Sequence, residues 1–324
     1  MSRILVTGGK GFLGQHVVAR LREDAHDVQV FARPEPSSPA EEDGVFWGDI
    51  RDGEAVDAAV RGSDVVIHLV SNFRKGGSDK KEARAINVNG TVNVLEACGK
   101  HGVRQLIHCS TIGVHGSVRE IPATETTAFN PTDLYQETKL EAEQEVWRHH
   151  REKGLPVTVI RPISLYGPGD LRMLKLFKMI KKGTFLMVGS GDALFQPAYI
   201  DDVVEGFRLC LENPAALGEV FILGSEGYLP LKELVRTIAE EMGVAPPTRR
   251  IPLGPVLWLA GVCERVCEPF GIEPPLHRRR VSFFQNNRAF SIEKAKRVLG
   301  FDPQVPLREG IRRTVRWYEE NGYL

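Results

Sequence analysis

RILVTGGKGFLGQHVVARL, residues 3–21, crowds four glycines, Gly8, Gly9, Gly11 and Gly14, between an apolar run and a helical pattern. Glycine weakens strands and helices alike, so such a cluster needs a compensating use. Ile4, Leu5 and Val6 read as a short buried strand, and Phe12, Leu13, Val17, Val18 and Leu21 recur at helical spacing. A strand, a glycine turn and a helix N-terminus together make a phosphate cradle. Backbone N–H groups and the positive end of the helix dipole face the anion, and missing side chains let it approach. The spacing by itself is equally compatible with a tight structural turn, so the remainder of the chain has to decide.

Further along, apolar runs alternate with helical patterns. DVQVFARP, GVFWGDI, DVVIHLVS, QLIHCST and PVTVIRPISLYG read as strands, and RDGEAVDAAVRG, NVNGTVNVLEACGKHG and DLYQETKLEAEQEVWRHHREKG as helices. This alternation implies right-handed crossovers and a parallel sheet covered on both faces. Such a sheet binds ligands at the carboxyl ends of its strands, where Gly8, Asp49, Leu69 and Thr111 fall. The expected architecture is α/β: a Rossmann-type doubly wound parallel sheet over residues 1–168, with a smaller C-terminal substrate-binding lobe over 169–324. Elements near 197–224, AYIDDVVEGFRLCLEN and EVFILGS, are expected to return to the sheet, and a last helix is expected from about Leu307 to Asn321.

Composition narrows the function. The 324 residues are 42% apolar, and 42 acidic residues balance 42 basic ones, which argues against a general nucleic-acid binder. No charged leader with an apolar core precedes the first strand, so no signal peptide is expected. GPVLWLAGVC, residues 254–263, is too short to span a bilayer, so no integral membrane segment is expected. The five cysteines are scattered except for Cys263 and Cys267, which lack partners at ligand spacing; no metal is expected, and a reducing, cytoplasmic setting fits.

Two groups of residues carry the chemistry. The second strand ends in Ala32-Arg33, where a dinucleotide fold often has an acid for the ribose; Arg33 offers a guanidinium suited to a 2′-phosphate, which tips the choice between NADP and NAD toward NADP. Asp49 can accept from an adenine amino group or cap the helix that follows. Tyr135 and Lys139 stand one helical turn apart. A free phenol titrates near 10, and a lysine ammonium beside it stabilises phenolate, making the tyrosine a proton acceptor for a secondary alcohol. Thr111, at a strand end, can hold the same oxygen in line.

The order TGGKGFLG, GDI, HLVS, NVNGT, STIGVHG, YQETK, RPISLYGPGD, YIDDV and SIEKAKRVLGF resembles the extended short-chain dehydrogenase/reductase superfamily, in its NAD(P)-dependent epimerase/dehydratase branch. The resemblance implies that Gly8, Gly11 and Gly14, with Phe12 and Leu13, hold the cofactor pyrophosphate. It further implies that Asp49-Ile50 and Leu69 border the cofactor and that Tyr135 is the acid/base. Lys139 would bind the nicotinamide ribose, Thr111 would be the hydroxyl partner, Asn87 would support the site, and Pro162 and Ile163 would line the nicotinamide. Ile112 and Gly113 replace the acidic pair of the family's dehydratases, which disfavours dehydration and decarboxylation. His115 replaces a usual tyrosine, and Tyr199 a usual histidine, the latter as packing or as a substrate contact.

Three functions stay open. A nucleotide-sugar epimerase or reductase leads, because Arg278 and Arg280 in HRRR suit a diphosphate. An NADPH-dependent ketone reductase on an apolar substrate, of dihydroflavonol reductase or 3β-hydroxysteroid dehydrogenase type, is the alternative. Arg33 and IPLGPVLWLAGV speak for it, the latter as a pocket wall, a membrane-surface contact or a packed helix. A catalytically silent NAD(P)-binding sensor is the third. The resemblance also implies a homodimer through the two helices carrying Val94, Leu95, Leu140 and Val146, whose apolar positions suggest a second buried face.

Overall fold

The structure is a computed structural model and describes residues 1–36, 38–39, 41–73, 80–267, 274, 276 and 281–324. Five strands arise where the apolar runs predict them: β1 Arg3–Thr7, β2 Asp27–Ala32, β3 Val45–Trp47, β4 Val65–His68 and β5 Gln105–Cys109. PVTVIRPISLYG divides into β6 Val157–Pro162 and β7 Ser164–Tyr166. The chain then adds β8 Met187–Val188, β9 Leu194–Phe195, β10 Pro197–Tyr199, β11 Glu219–Leu223, β12 Leu229–Pro230 and β13 Arg250–Ile251. Seven strands form one parallel sheet in the order β11-β6-β5-β4-β1-β2-β3. β11 thus sits at the edge beside β6, although the chain enters the lobe before making it. β10 pairs with β7 outside the large sheet.

The helices are α1 Phe12–Glu23, α2 Gly53–Val60, α3 Lys80–Arg84, α4 Gly90–His101, α5 Leu134–Lys153, α6 Leu174–Lys181, α7 Ile200–Cys210, α8 Leu231–Glu241, α9 Leu253–Cys267, α10 Glu293–Leu299 and α11 Leu307–Glu320. Alternation along β1 divides the core: Ile4 and Val6 pack with Val17, Val18 and Val203, whereas Leu5 faces Val56, Val94 and Val146. One face of the sheet is therefore covered by α1 and α7, the other by α2, α4 and α5.

The second face inferred for α4 and α5 needs correction. Val94, Leu95 and Val146 are fully buried in the chain's own core, and of the four positions only Leu140 is partly exposed. α4 lies between α2 and α5 and over the sheet, so it needs a wide apolar surface within a single copy. No described helix is long and apolar enough to cross a membrane.

Candidate active site

Of the predicted residues, Gly8, Arg33, Asp49, Leu69, Thr111 and Pro162 stand at or just beyond the carboxyl ends of β1 to β6. Gly8 leaves β1 with φ +76°, and a Cβ there would stand 3.1 Å from the Val70 nitrogen. Gly14 shows the tightest approach, since a Cβ on it would lie 2.2 Å from the Gly8 carbonyl oxygen. This glycine is required by the turn itself, which α1 crosses almost in contact. Gly11 precedes α1 with no side-chain cap, and the first turn holds no acid. The positive helix end is left for an anion, so the turn fits a dinucleotide pyrophosphate.

At the adenosine end the order of residues is informative. Arg33 is exposed just beyond β2. Asp49 is gripped by Arg51, whose Nε and Nη2 donate to its two oxygens at 2.9 and 2.6 Å, with the Arg51 backbone N–H adding a third bond at 2.9 Å. These bonds to Arg51, joined by the Arg33 charge, hold the Asp49 carboxyl below its ordinary value. The helix cap weighed for Asp49 is supplied by Asp52, whose Oδ1 accepts from Glu54 and Ala55 N–H. Ile50 is buried against Gly90, so it shapes the wall from behind, and Leu69 is half-buried beside Gly8.

Asn87 lies in a π-helical turn, Ala85–Asn89, just before α4. Such turns add one residue to a helix and often occur at functional positions. Here the Asn87 Oδ1 accepts from the Asn72 N–H at 2.6 Å, and its Nδ2 donates to Thr138 Oγ1 at 2.8 Å. It links the segment after β4 to α5, next to Lys139. The Asn72 side-chain Nδ2 is buried without a hydrogen-bond partner among the described residues.

Tyr135 and Lys139 project side by side from the first turns of α5, whose N-cap is Asp133, accepting from the Gln136 N–H at 3.0 Å. The Tyr135 ring meets Phe73 edge-on, with centroids 4.9 Å apart. Burial pushes its phenol above the ordinary value; a Ser71 hydrogen bond and the Arg172 charge pull the other way. Lys139 is almost fully buried, and its Nζ donates to the Cys109 carbonyl at 2.7 Å. Burial draws its ammonium below the ordinary range. Thr111 is extended, with φ −161° and ψ 148°, and its Oγ1 accepts from Gly113 N–H at 3.1 Å. Pro162 ends β6, and Ile163 is buried against Gly224 after β11.

Tyr199 is buried, packs on the Tyr166 ring at 5.6 Å and lies beneath Arg313. It borders a cavity of about 410 Å³ whose lining includes Tyr166, Tyr228 and Pro306 but not Thr111, Tyr135 or Lys139. Arg278 and Arg280 lie outside the described residues. Sequence reasoning missed Ser71, Phe73 and Arg172 near the tyrosine. It also missed Glu143 and Arg161, fully buried behind the site. A signal for the last two existed: Arg161 interrupts an apolar parallel strand, and Glu143 follows Lys139 on one helix face.

The model of the NAD dependent epimerase/dehydratase family matches residues 4–224. The chain is 32% identical to the 2-alkyl-3-oxoalkanoate reductase of Stenotrophomonas maltophilia (strain K279a), over 96% of this chain and 98% of that protein. It is 31% identical to the 3 beta-hydroxysteroid dehydrogenase/Delta 5-->4-isomerase of Mycobacterium tuberculosis (strain ATCC 25618 / H37Rv), over 98% and 90%. The crystal structure of gox2253 superposes with a TM-score of 0.84 at 30% identity, covering 100% of both chains. With a glycine cradle, a parallel sheet and a Tyr/Lys pair in place, the chain belongs to the NAD dependent epimerase/dehydratase family and is an NAD-dependent oxidoreductase of the extended short-chain type.

Proposed function

We propose that this protein interconverts an apolar ketone and its secondary alcohol. The observation that carries this reading is similarity along nearly the whole chain to two proteins named for such substrates, a 2-alkyl-3-oxoalkanoate reductase and a 3 beta-hydroxysteroid dehydrogenase/Delta 5-->4-isomerase. The nucleotide-sugar reading rested on Arg278 and Arg280, which lie outside the described residues, and nothing described here favours it.

Gly8, Gly11 and Gly14 with Phe12 and Leu13 would hold the cofactor's pyrophosphate, Arg33 and Asp49 its adenosine end, and Lys139, Pro162 and Ile163 its nicotinamide end. The bound nicotinamide supplies or takes up the hydride. Thr111 Oγ1 holds the substrate oxygen in line. In reduction the Tyr135 hydroxyl donates its proton to that oxygen as the carbonyl carbon gains hydride, giving the alcohol; in oxidation it takes the proton back. Lys139, anchored to the Cys109 carbonyl, keeps further N–H bonds for the ribose. Phe73 shields the tyrosine from water.

The test is a substrate panel, followed through the absorbance of reduced nicotinamide and by product chromatography. A 3-ketosteroid and a 2-alkyl-3-oxoalkanoate are expected to be reduced. Turnover of UDP-glucose to its epimer, with both ketones untouched, would overturn the reading.

A further inference from the structure

The three segments that carry the proposed chemistry are the end of β5, the first turns of α5 and the end of β6. They are joined behind the cleft by one buried ion pair. Glu143, one turn beyond Lys139 on α5, is 1% exposed, and Arg161, the residue before Pro162 in β6, is 2% exposed. Arg161 Nη2 donates to Glu143 Oε1 at 2.5 Å and Arg161 Nε to Oε2 at 3.1 Å. Glu143 Oε2 also accepts from the Ser110 hydroxyl at 2.6 Å, and Oε1 from the Trp147 indole at 3.2 Å. The remaining guanidinium nitrogen, Nη1, donates to the Glu125 carbonyl at 2.9 Å and to His115 Nε2 at 3.0 Å. The guanidinium lies 5.0 Å from the Phe129 ring centroid.

Two neighbouring residues of the β5 end are thus held by two residues one turn apart on α5: Lys139 binds the Cys109 carbonyl, and Glu143 binds the Ser110 hydroxyl. The same carboxylate fixes Arg161, and with it the chain entering Pro162 and Ile163. The short turn Ile112–His115, which starts after Thr111, returns to this arginine through His115. Each hydrogen bond satisfies a group that burial would otherwise penalise. Apolar residues of equal volume often match or exceed a buried ion pair in stability, so stability alone does not explain this one. Its distinguishing property is that it joins the ends of β5 and β6 and the first turns of α5 at once.

We propose that Glu143 and Arg161 are positioning residues whose paired hydrogen bonds set Ser110-Thr111, Lys139 and Pro162-Ile163 in register for hydride and proton transfer. The inference rests on the roles proposed above for Thr111, Tyr135 and Lys139. A misplacement of about 1 Å in reacting groups can cost on the order of a hundredfold in rate, so a loosened register should show in kcat.

The test uses the full chain and the ketone that the wild type turns over. Thermal stability and NADH affinity, the latter by fluorescence titration, are measured beside kcat and KM. Ser110→Ala should lower kcat about fivefold, with Tm, KM and NADH affinity unchanged, and Ser110→Thr should restore kcat. The paired substitution Glu143→Met with Arg161→Met should fold, bind NADH within about threefold of wild type and lose at least tenfold in kcat. Adding Ser110→Ala to it should cost nothing more, because the grip on Ser110 is already gone. Full kcat in Ser110→Ala, or in a folded paired variant, would overturn the proposal; if the paired variant does not fold, Ser110→Ala and its rescue decide alone. Tyr135→Phe runs in parallel. Retained turnover there would refute the site itself, whereas its loss alongside unaffected Ser110 and paired variants would refute only the positioning role.

Discussion

The sheet's carboxyl end and the small lobe are built on opposite terms. Around β4, β5, β6 and α5, His68, Lys139, Glu143 and Arg161 are buried and hydrogen-bonded, whereas the two ring nitrogens of buried His108 have no hydrogen-bond partner among the described residues. His68 bonds Thr7 Oγ1 at 2.7 Å and Thr91 Oγ1 at 3.0 Å, and its ring lies 5.4 Å from that of His108. In the lobe the strands β8, β9, β12 and β13 have two residues each. There α9 buries only Ala260 and Gly261, while Trp258 is 71% exposed and Val266 59%. Polar groups that must be satisfied on every side specify a single arrangement. A helix that buries only two small residues is held less firmly, so the two regions should respond differently to substitution.

The largest effect should come from the rigid half. Tyr135→Phe removes the proposed proton donor and should lower kcat by on the order of a hundredfold or more, while NADH affinity, read by fluorescence, stays near wild type. Near wild-type turnover would remove Tyr135 from the mechanism. Next is Arg33→Ala. If the guanidinium meets a 2′-phosphate, NADPH binding should weaken by about 1.5–3 kcal/mol and NADH binding should not change. Equal losses for the two cofactors in calorimetry would make Arg33 a bystander.

The buried histidines predict a smaller, pH-dependent effect. Burial pushes His68 down to about 3, and burial together with the Lys139 charge holds His108 well below 6.5. The unfolded chain takes up protons as pH falls through about 6.5, whereas the native state stays neutral, so the unfolded state binds more. The stability from each histidine is complete above pH 6.5 and is lost as pH falls toward the native value. Each contributes about 1.4 kcal/mol per pH unit within that window. His108→Phe should flatten the slope of denaturant-measured stability between about pH 6.5 and pH 5 by one such increment. An unchanged slope would show that His108 protonates within the fold. The smallest effect belongs to the lobe: Trp258→Ser should change stability by less than about 0.5 kcal/mol, as at other exposed positions. A larger drop in denaturation midpoint would mean that α9 is more firmly packed than its exposure indicates.

Most of the sheet could be read from local pattern, because a parallel strand buried on both faces is an apolar run and a phosphate turn is a glycine cluster. Tyr135 and Lys139 were legible for the same reason, since four residues on a helix fix their proximity. The pairing of Glu143 with Arg161 depends on how α5 lies across β6, which no local spacing encodes. The grip of Arg51 on Asp49 was not legible, because it depends on a side-chain conformation and not on a pattern. The apolar width of α4 suggested a second copy, whereas α2, α5 and the sheet account for it.

The position of β11 bears on how the chain is made. All six residues of β6 are buried, and β11 provides one of its two neighbours. During synthesis, β5 and β6 emerge long before Glu219–Leu223. Until then one row of β6 N–H and C=O groups has no strand to pair with, and such an open edge invites association with other nascent chains. That edge of the sheet therefore closes only once Leu223 has been made, so the interval between Pro162 and Leu223 leaves it open.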